Sequence, residues 1–248
     1  MMEISDDFAQ RLELTGIPRG TYDLVPLTKV HKFIAQRLTD ASREIPSFPL
    51  EAEVSLDTLL ARRAEYNAAN EMRVSINDLI IKAAALALMA VPEVNASFTL
   101  DGVVRHHNAD IAVAVAVESG LVTPIVRTAE IRDIGAIALT MQDFIARAKL
   151  RKLKPDEYMG GTFSISNLGM LGITRFGSII NPPHGAILSV GAGQERVVSR
   201  DGNFKVISVM AVTLTCDHRV VDGATGARWL QAFRAFIEQP DALFSRAS

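Results

Sequence analysis

Apolar residues recur along the chain with two different periods, one typical of helices and one typical of strands. The helical period predicts five helices, at about 27–43, 55–69, 76–90, 134–150 and 223–238. Ser55 fits the N-cap of the second helix, and Ser75 with Asp78 resembles a capping box at the start of the third. The third helix is apolar on nearly every side, which predicts that it is buried.

Strands are predicted where apolar and polar residues alternate and where short apolar runs lie between turn residues. They fall at about 48–54, 111–117, 121–127, 162–166, 186–190, 194–199 and 204–215, with a hairpin over 98–104. Ser119-Gly120 and Asp201-Gly202-Asn203 are turn signals. Helices and strands are interleaved without strict alternation, which predicts one α/β domain with a mixed β-sheet flanked by helices. We place this domain at 25–248, after an N-terminal arm or linker at 1–24.

The strongest candidate for chemistry is the segment from Asp217 to Gly223, which reads DHRVVDG and joins the last strand to the last helix. Functional side chains are often found at strand ends and in loops, because the scaffold holds them still there. His218 has Asp217 beside it and Asp222 four residues on. A histidine near a carboxylate can be held in one tautomer and tuned toward neutral pH, which suits a general base.

A structural interpretation of the same residues is also open. Asp222 stands at a predicted helix start and could be an N-cap. Arg219 could pair with Asp217 as a surface ion pair that contributes little. Composition alone does not decide between the two interpretations.

The complete heptapeptide closely resembles the Asp-His-Arg-x-x-Asp-Gly signature of the dihydrolipoamide acyltransferases of 2-oxo acid dehydrogenase complexes. Other stretches resemble the same family in the same order, at 27–38, 120–124, 161–169 and 180–191. The resemblance runs from about Val25 to Leu243. It implies the fold that this family shares with chloramphenicol acetyltransferase.

The resemblance implies acyl transfer between dihydrolipoamide and coenzyme A, which is a substrate here. His218 is expected to be the general base that takes the proton from the CoA thiol. Ser166 matches a serine that donates to the oxyanion of the tetrahedral intermediate, a contact worth roughly 3–4 kcal/mol of barrier; otherwise it is an ordinary strand serine. Asp222 is expected to orient His218 by holding the loop, and Asn167 is expected to bind substrate. Asp217 and Arg219 are interpreted as local structure.

The resemblance also implies a homotrimer in which His218 of one subunit faces Ser166 of its neighbour. In the family, trimers assemble into cubic 24-subunit or dodecahedral 60-subunit cores. This chain contains no Asp-Lys-Ala lipoylation motif, so the lipoyl group is expected on another domain or chain. The expected partners are therefore lipoyl domains and the other components of the complex.

Two segments bear on the substrate. Residues 223–227 read Gly-Ala-Thr-Gly-Ala, which resembles the acetyl-transferring members and favours a pyruvate dehydrogenase complex. Residues 45–49 read Ile-Pro-Ser-Phe-Pro where the family often has Ile-Pro-His-Phe-Thr. Ser47 and Pro49 thus depart from the pattern near the expected substrate channel, which bears on acceptor or acyl preference.

Composition excludes several other classes of protein. The net charge of −2 offers no basic excess for nucleic acid. The single cysteine, Cys216, excludes a disulfide within the chain and a zinc site of several thiolates, and no spacing suggests a metal. No apolar run is long enough to span a bilayer, and the acidic N-terminus is unlike a targeting peptide. We expect a cytoplasmic protein, or a mitochondrial matrix protein in a eukaryote. His106 and His107 are predicted in a solvated loop, and His184 outside the site.

Three functions stay open at this point. The first is an active acyltransferase core, and the second is a non-catalytic core or scaffold component. Retention of His218, Ser166 and Asp222 together argues against the scaffold. The third is a stand-alone CoA acyltransferase with another acceptor, which the change at 47–49 keeps open.

Overall fold

The computed structural model describes residues 5–117, 120–200 and 202–245, which form two compact units divided after Arg37. In the first unit, helix α1 (Asp6–Leu14) is capped by Ser5, whose Oγ accepts from the N–H of Phe8 at 3.4 Å. Arg19 pairs with Asp6 and with Glu13, each at 3.0 Å. The sequence analysis predicted an arm or linker here and no helix, because an apolar face of only Phe8, Ala9 and Leu12 in nine residues is too short for periodicity to detect.

The five predicted helices are present, as α2 (Lys29–Glu44), α3 (Asp57–Ala69), α4 (Ile76–Ala90), α5 (Ile134–Lys149) and α7 (Gly223–Glu238). Two short helices, α6 (Pro155–Tyr158) and α8 (Asp241–Phe244), add to them. The capping box of Ser75 and Asp78 is confirmed. The prediction for Ser55 is wrong: Ser55 ends a strand, and Leu56 occupies the N-cap without a side-chain bond.

The main sheet has six strands in the order β1-β10-β9-β8-β4-β7. Their bounds are β1 (Ser47–Ser55), β4 (Ile111–Val113), β7 (Ile125–Val126), β8 (Phe163–Asn167), β9 (Ala186–Arg200) and β10 (Asn203–Asp217). β8 runs parallel to β4 and β9, whereas the other neighbours are antiparallel, so the sheet is mixed as predicted. Two small antiparallel pairs complete the strands: β2 (Ala96–Thr99) with β3 (Gly102–Arg105), and β5 (Val115–Val117) with β6 (Gly120–Val122).

Four predicted strands are divided differently in the structure. The strand predicted at 111–117 is split into β4 and β5, and that at 121–127 into β6 and β7, because the chain passes from one sheet to another at each break. The two strands predicted at 186–190 and 194–199 form the single strand β9, whose irregular centre faces a register shift between Met210 and Val212. Ser119 and Asp201, in the two predicted turns, lie outside the described residues.

The two faces of the main sheet differ in chemistry. Phe163, Leu188 and Leu214 are fully buried on the face that carries the hydrophobic core. Trp229 of α7 packs there, with its ring centroid 5.1 Å from that of Phe163. The intervening residues of the central strands point to the other face and mostly carry hydroxyl groups: Ser164, Ser166, Ser189, Thr213 and Thr215.

The segment 168–185 lies over this hydroxyl-bearing face. Ser178 Oγ is 2.6 Å from Ser189 Oγ, and the buried imidazole of His184 is 2.7 Å from Ser164 Oγ. These contacts satisfy the hydroxyls of Ser164 and Ser189, whereas the buried hydroxyls of Thr213 and Thr215 have no hydrogen-bond partner among the described residues. The sheet thus has helices on one face and this segment over part of the other.

Candidate active site

His218 is the first residue after β10, and neighbouring β1 fixes its position. Its N–H donates to the carbonyl oxygen of Pro46 at 3.0 Å. The ring of Phe48, on β1, lies against its imidazole with the centroids 4.6 Å apart and the planes tilted by 43°. The backbone of His218 is thus anchored, while the residue itself is exposed.

Asp217 and Arg219, on either side of His218, form a two-point ion pair. Arg219 Nε and Nη2 donate to Asp217 Oδ1 and Oδ2 at 3.0 and 2.8 Å, and the N–H of Arg219 also donates to Oδ1. The guanidinium lies 4.0 Å from the ring centroid of Phe98. Because the Asp217 side chain is only 3% exposed, the prediction of a surface pair of little worth is wrong. A bidentate pair in which the carboxylate is buried holds the turn in place.

Asp222 is the N-cap of α7, as the structural interpretation predicted. Its Oδ1 accepts from the N–H of Thr225 at 2.7 Å. Hydrogen bonds from the backbone N–H and the hydroxyl of Thr225 hold the pKa of the Asp222 carboxyl below its usual value. The side chain therefore fixes where helix α7 begins and, with it, the end of the turn that carries His218.

Ser166 lies near the carboxyl end of β8, on the hydroxyl-bearing face, and is partly exposed. Asn167 follows it. The amide of Asn167 donates to Asn77 Oδ1 at 3.1 Å and its Oδ1 accepts from the N–H of Gly169 at 2.9 Å. Both ends of this side chain thus stabilise the turn beyond Ser166.

The two predicted halves of the site lie at opposite ends of the central strands of the sheet. Ser166 pairs with Ser189 on β9, which pairs with Thr213 on β10. His218 lies five residues beyond Thr213, in the direction of β10 and against that of β8. Ser166 and His218 are therefore about 17 Å apart along the strands and about 10 Å across them, at the usual spacings of a sheet. A single chain does not bring them together.

The other candidate groups have structural environments. Cys216 is fully buried, and burial raises the pKa of its thiol to about 12, so it is not a ready nucleophile. The prediction of a solvated loop is wrong for His106, whose Nε2 is 2.8 Å from the buried Ser97 Oγ and whose pKa burial lowers. Phe48 and His184 were not singled out as site residues, and their contacts depend on strand pairing that periodicity does not reveal.

Two negative findings apply to the described residues. Among residues 5–117, 120–200 and 202–245, no group of three or more His, Cys, Asp or Glu side chains could hold a metal ion. No helix in these ranges is both long and apolar enough to cross a membrane.

Comparison with known proteins places the chain in a family. Residues 19–245 match the family model of the 2-oxoacid dehydrogenases acyltransferase (catalytic domain), and the chain belongs to that family. It is 48% identical over 228 residues to the dihydrolipoyllysine-residue acetyltransferase component of the pyruvate dehydrogenase complex of Rhizobium meliloti, covering 89% of this chain and 51% of that protein. The mitochondrial counterpart from Dictyostelium discoideum is 43% identical over 91% of this chain and 36% of its own length. The chain thus spans about half the length of these relatives, or less.

Solved structures agree with the family assignment. The structure of Azotobacter vinelandii dihydrolipoamide acetyltransferase matches this chain with a TM-score of 0.87 at 27% identity, covering 99% of this chain and all of that one. That structure comes from a crystallographic and enzymatic study of the role of a serine, a histidine and an asparagine in the catalytic mechanism. The cubic core of a pyruvate dehydrogenase multienzyme complex gives 0.87 at 26% identity with the same coverage. A chloramphenicol acetyltransferase, 16% identical over 82% of this chain and 94% of its own, has a TM-score of 0.55, which confirms the predicted fold.

Proposed function

We propose that this chain transfers an acetyl group between dihydrolipoamide and coenzyme A, as the catalytic core of a pyruvate dehydrogenase complex. The observation that carries the proposal is the placement of three residues. In the Azotobacter enzyme the named histidine follows the named serine by 52 residues and precedes the asparagine by four. In this chain His218 follows Ser166 by 52 residues and precedes Asp222 by four. The acetyl-transferring relatives support acetyl over other acyl groups.

His218 acts as the general base in the direction that forms acetyl-CoA. An imidazole nitrogen takes the proton of the CoA thiol, and the sulfur attacks the thioester carbon of acetyl-dihydrolipoamide. The tetrahedral intermediate then collapses, the bond to the lipoyl sulfur breaks, and that sulfur takes the proton back from His218. The exposed ring of His218, held by Phe48 and by the Pro46 carbonyl, suits this shuttle.

Ser166 donates a hydrogen bond to the oxyanion of the intermediate, and it comes from a second copy of the chain. The separation of Ser166 and His218 within one chain supports this arrangement, because the two residues of a single chain are too far apart to act on the same thioester. Contacts between unlike surfaces close into a ring when the rotation allows it, and we propose a homotrimer with one site at each boundary. Larger cores, as in the cubic assembly of the related structure, would be built from such trimers.

Asp222 and Asn167 support these groups. Asp222 positions the His218 turn through its cap on α7. Asn167 carries two amide hydrogens. One of them is donated to Asn77, which holds the Asn167 side chain in place next to Ser166. We assign the second hydrogen to the substrate.

The partners follow from the reaction. The lipoyl group is carried by another domain or chain, and the remaining enzymes of the complex supply its acetyl group. Relatives occur in bacteria and in mitochondria, so we place the protein in the cytoplasm or the mitochondrial matrix. The domain is proposed to begin near residue 25, close to the start of the family match at residue 19.

A direct assay tests the activity. Purified protein is mixed with acetyl-CoA and free dihydrolipoamide, and His218→Ala serves as the matched inactive variant. Turnover that the substitution abolishes supports the proposal. No turnover in either protein, with a large assembly by light scattering, would instead identify a scaffold, and turnover only with another acceptor would identify a different acyltransferase.

Complementation tests the shared site. Chains carrying His218→Ala are expected to be inactive alone, and those carrying Ser166→Ala to lose about 100- to 1000-fold. Mixed assembly restores roughly a quarter of the boundaries when equal amounts associate at random in closed rings. Mixing the two proteins after assembly is the control. Recovery of no activity in co-assembled protein would show that both residues act within one chain.

A further inference from the structure

His184 is a buried residue that the acyl-transfer mechanism does not use. It is 2% exposed. Its Nδ1 is 2.7 Å from Ser164 Oγ, and its Nε2 is 3.0 Å from the carbonyl oxygen of Gly160. A carbonyl oxygen only accepts, so Nε2 carries the hydrogen, and in the neutral ring Nδ1 accepts from the serine hydroxyl. Both ring nitrogens are therefore tethered to the chain around the start of β8.

The next residue, Gly185, contacts the turn that carries His218. Its carbonyl oxygen accepts from the N–H of Asp217 at 2.9 Å. A Cβ on Gly185 would lie 2.4 Å from the carbonyl oxygen of Ala96 and 2.9 Å from Val220 Cγ2. The backbone here is packed directly against the turn, so a displacement at residue 184 is transmitted to residues 217–220.

The same imidazole contacts the strand that carries the other half of the site. Ser164 lies two residues before Ser166 on the same face of β8. The contacts run from Ser164 to His184, through the peptide of Gly185, to Asp217 and thus to His218. All of these contacts lie within one compact unit of the chain.

We infer that His184 is a positioning residue. Its two hydrogen bonds fix the position of Gly185, and Gly185 in turn holds the turn at 217–221 in place relative to β8. This inference rests on the proposed function. The turn before β9, which contains Pro182, Pro183 and His184, thereby helps to place the general base. Errors of about 1 Å in such placement can cost on the order of 100-fold in rate.

Graded substitutions separate the two tethers. His184→Asn places an acceptor where Nδ1 lies, His184→Gln places a donor where Nε2 lies, and His184→Leu supplies neither. Ser164→Ala removes one hydroxyl and leaves the imidazole in place. We expect kcat to fall about 10- to 100-fold in His184→Leu, with smaller losses in the other three. KM for CoA and for dihydrolipoamide should stay within twofold, because His184 touches neither substrate.

A second measurement does not depend on activity. The N–H groups of Asp217, Val220 and Val221 donate to Gly185 O, Asp217 O and Asp217 O, at 2.9, 3.1 and 2.9 Å. Hydrogen exchange of a peptide covering 217–221 should speed up in His184→Leu and Ser164→Ala. Asn67→Ala is the control. The Asn67 side chain, on α3, likewise makes two hydrogen bonds, both to the backbone of Val74 in the loop between α3 and α4.

The outcomes distinguish the inference from the proposed function. If exchange at 217–221 is faster in the variants but the wild type has no activity, the proposed function is overturned, while the inferred contact between His184 and the turn at 217–221 stands. Unchanged exchange and unchanged kcat in His184→Leu would overturn the inference. So would a loss of kcat that Asn67→Ala reproduces at equal loss of stability. If His184→Leu does not fold, Ser164→Ala decides through the same two measurements.

Discussion

The ring of Phe48 packs against the imidazole of His218, with 4.6 Å between their centroids. Phe48 lies on β1 between Ser47 and Pro49, the two residues that depart from the family pattern. β1 is an edge strand, where a proline is tolerated because no further strand needs its missing N–H. The departures therefore leave the aromatic contact to His218 in place.

Replacing Phe48 by alanine removes a contact that limits rotation of the imidazole. We expect kcat to fall about tenfold while KM for both thiols changes little, because orientation rather than binding is lost. Phe48→Tyr keeps the ring and should retain most of the activity. A rise in KM at constant kcat would instead assign Phe48 to substrate binding.

Replacement of Asp222 separates geometry from charge. Asparagine caps helices as well as aspartate does, and the Azotobacter enzyme has an asparagine four residues after its histidine. We expect Asp222→Asn to keep kcat within about threefold and Asp222→Ala to lose about tenfold, as for other errors of placement. Equal losses in both variants would show that the negative charge itself is needed.

Substitution of Gly226 tests how closely α7 approaches the sheet. A Cβ there would lie 2.6 Å from Leu50 Cδ1 and 3.3 Å from Cys216 Sγ. Overpacking costs about 1–3 kcal/mol, whereas replacing glycine by alanine in a helix gains about 1 kcal/mol. Gly226→Ala should therefore lower the free energy of unfolding by about 1 kcal/mol in urea titrations. Gly223→Ala, with open space at its Cβ, is the control and should not destabilise.

Glu157 provides a test of pH dependence. Arg147 donates to its two oxygens at 2.6 and 2.7 Å, and these bonds lower the pKa of Glu157 from 4.5 to about 2. A carboxyl whose pKa is lower in the folded state contributes stability above its unfolded pKa and loses it as pH falls. Wild type should therefore exceed Glu157→Gln in free energy of unfolding at pH 7. The difference should shrink between pH 4.5 and about 2, and a difference independent of pH would contradict the assigned pKa.

Helices α5 and α7 were predictable because each buries a face with a regular period. Helices α5 and α7 begin where the pattern predicts, at Ile134 and Gly223, and end within one residue of it. Strand β9 was not predictable as one element. Its centre contains Gly191 and Gly193, which resemble a turn, and only pairing with β10 keeps that stretch extended.

The candidate site was predictable in part. His218, Ser166 and Asp222 stand in recognisable motifs, and the N-cap of Asp222 follows from its place before a helix. The contact between His184 and Ser164 joins residues 20 positions apart, and no periodic pattern encodes such a pair. The burial of Asp217 likewise depends on the strands that pair with β10. The sequence does not show this pairing, so the ion pair of Asp217 could be interpreted as a surface pair.

The placement of Ser166 and His218 at opposite ends of the central strands has a consequence for a newly made chain. Under the proposed function, such a chain carries both His218 and Ser166 and still has no complete site. We then expect activity to depend on assembly, so a dilute preparation should lose rate more steeply than in proportion to its concentration. Each boundary that forms would complete one site, so partly assembled protein would act on acetyl-CoA only at the boundaries already closed.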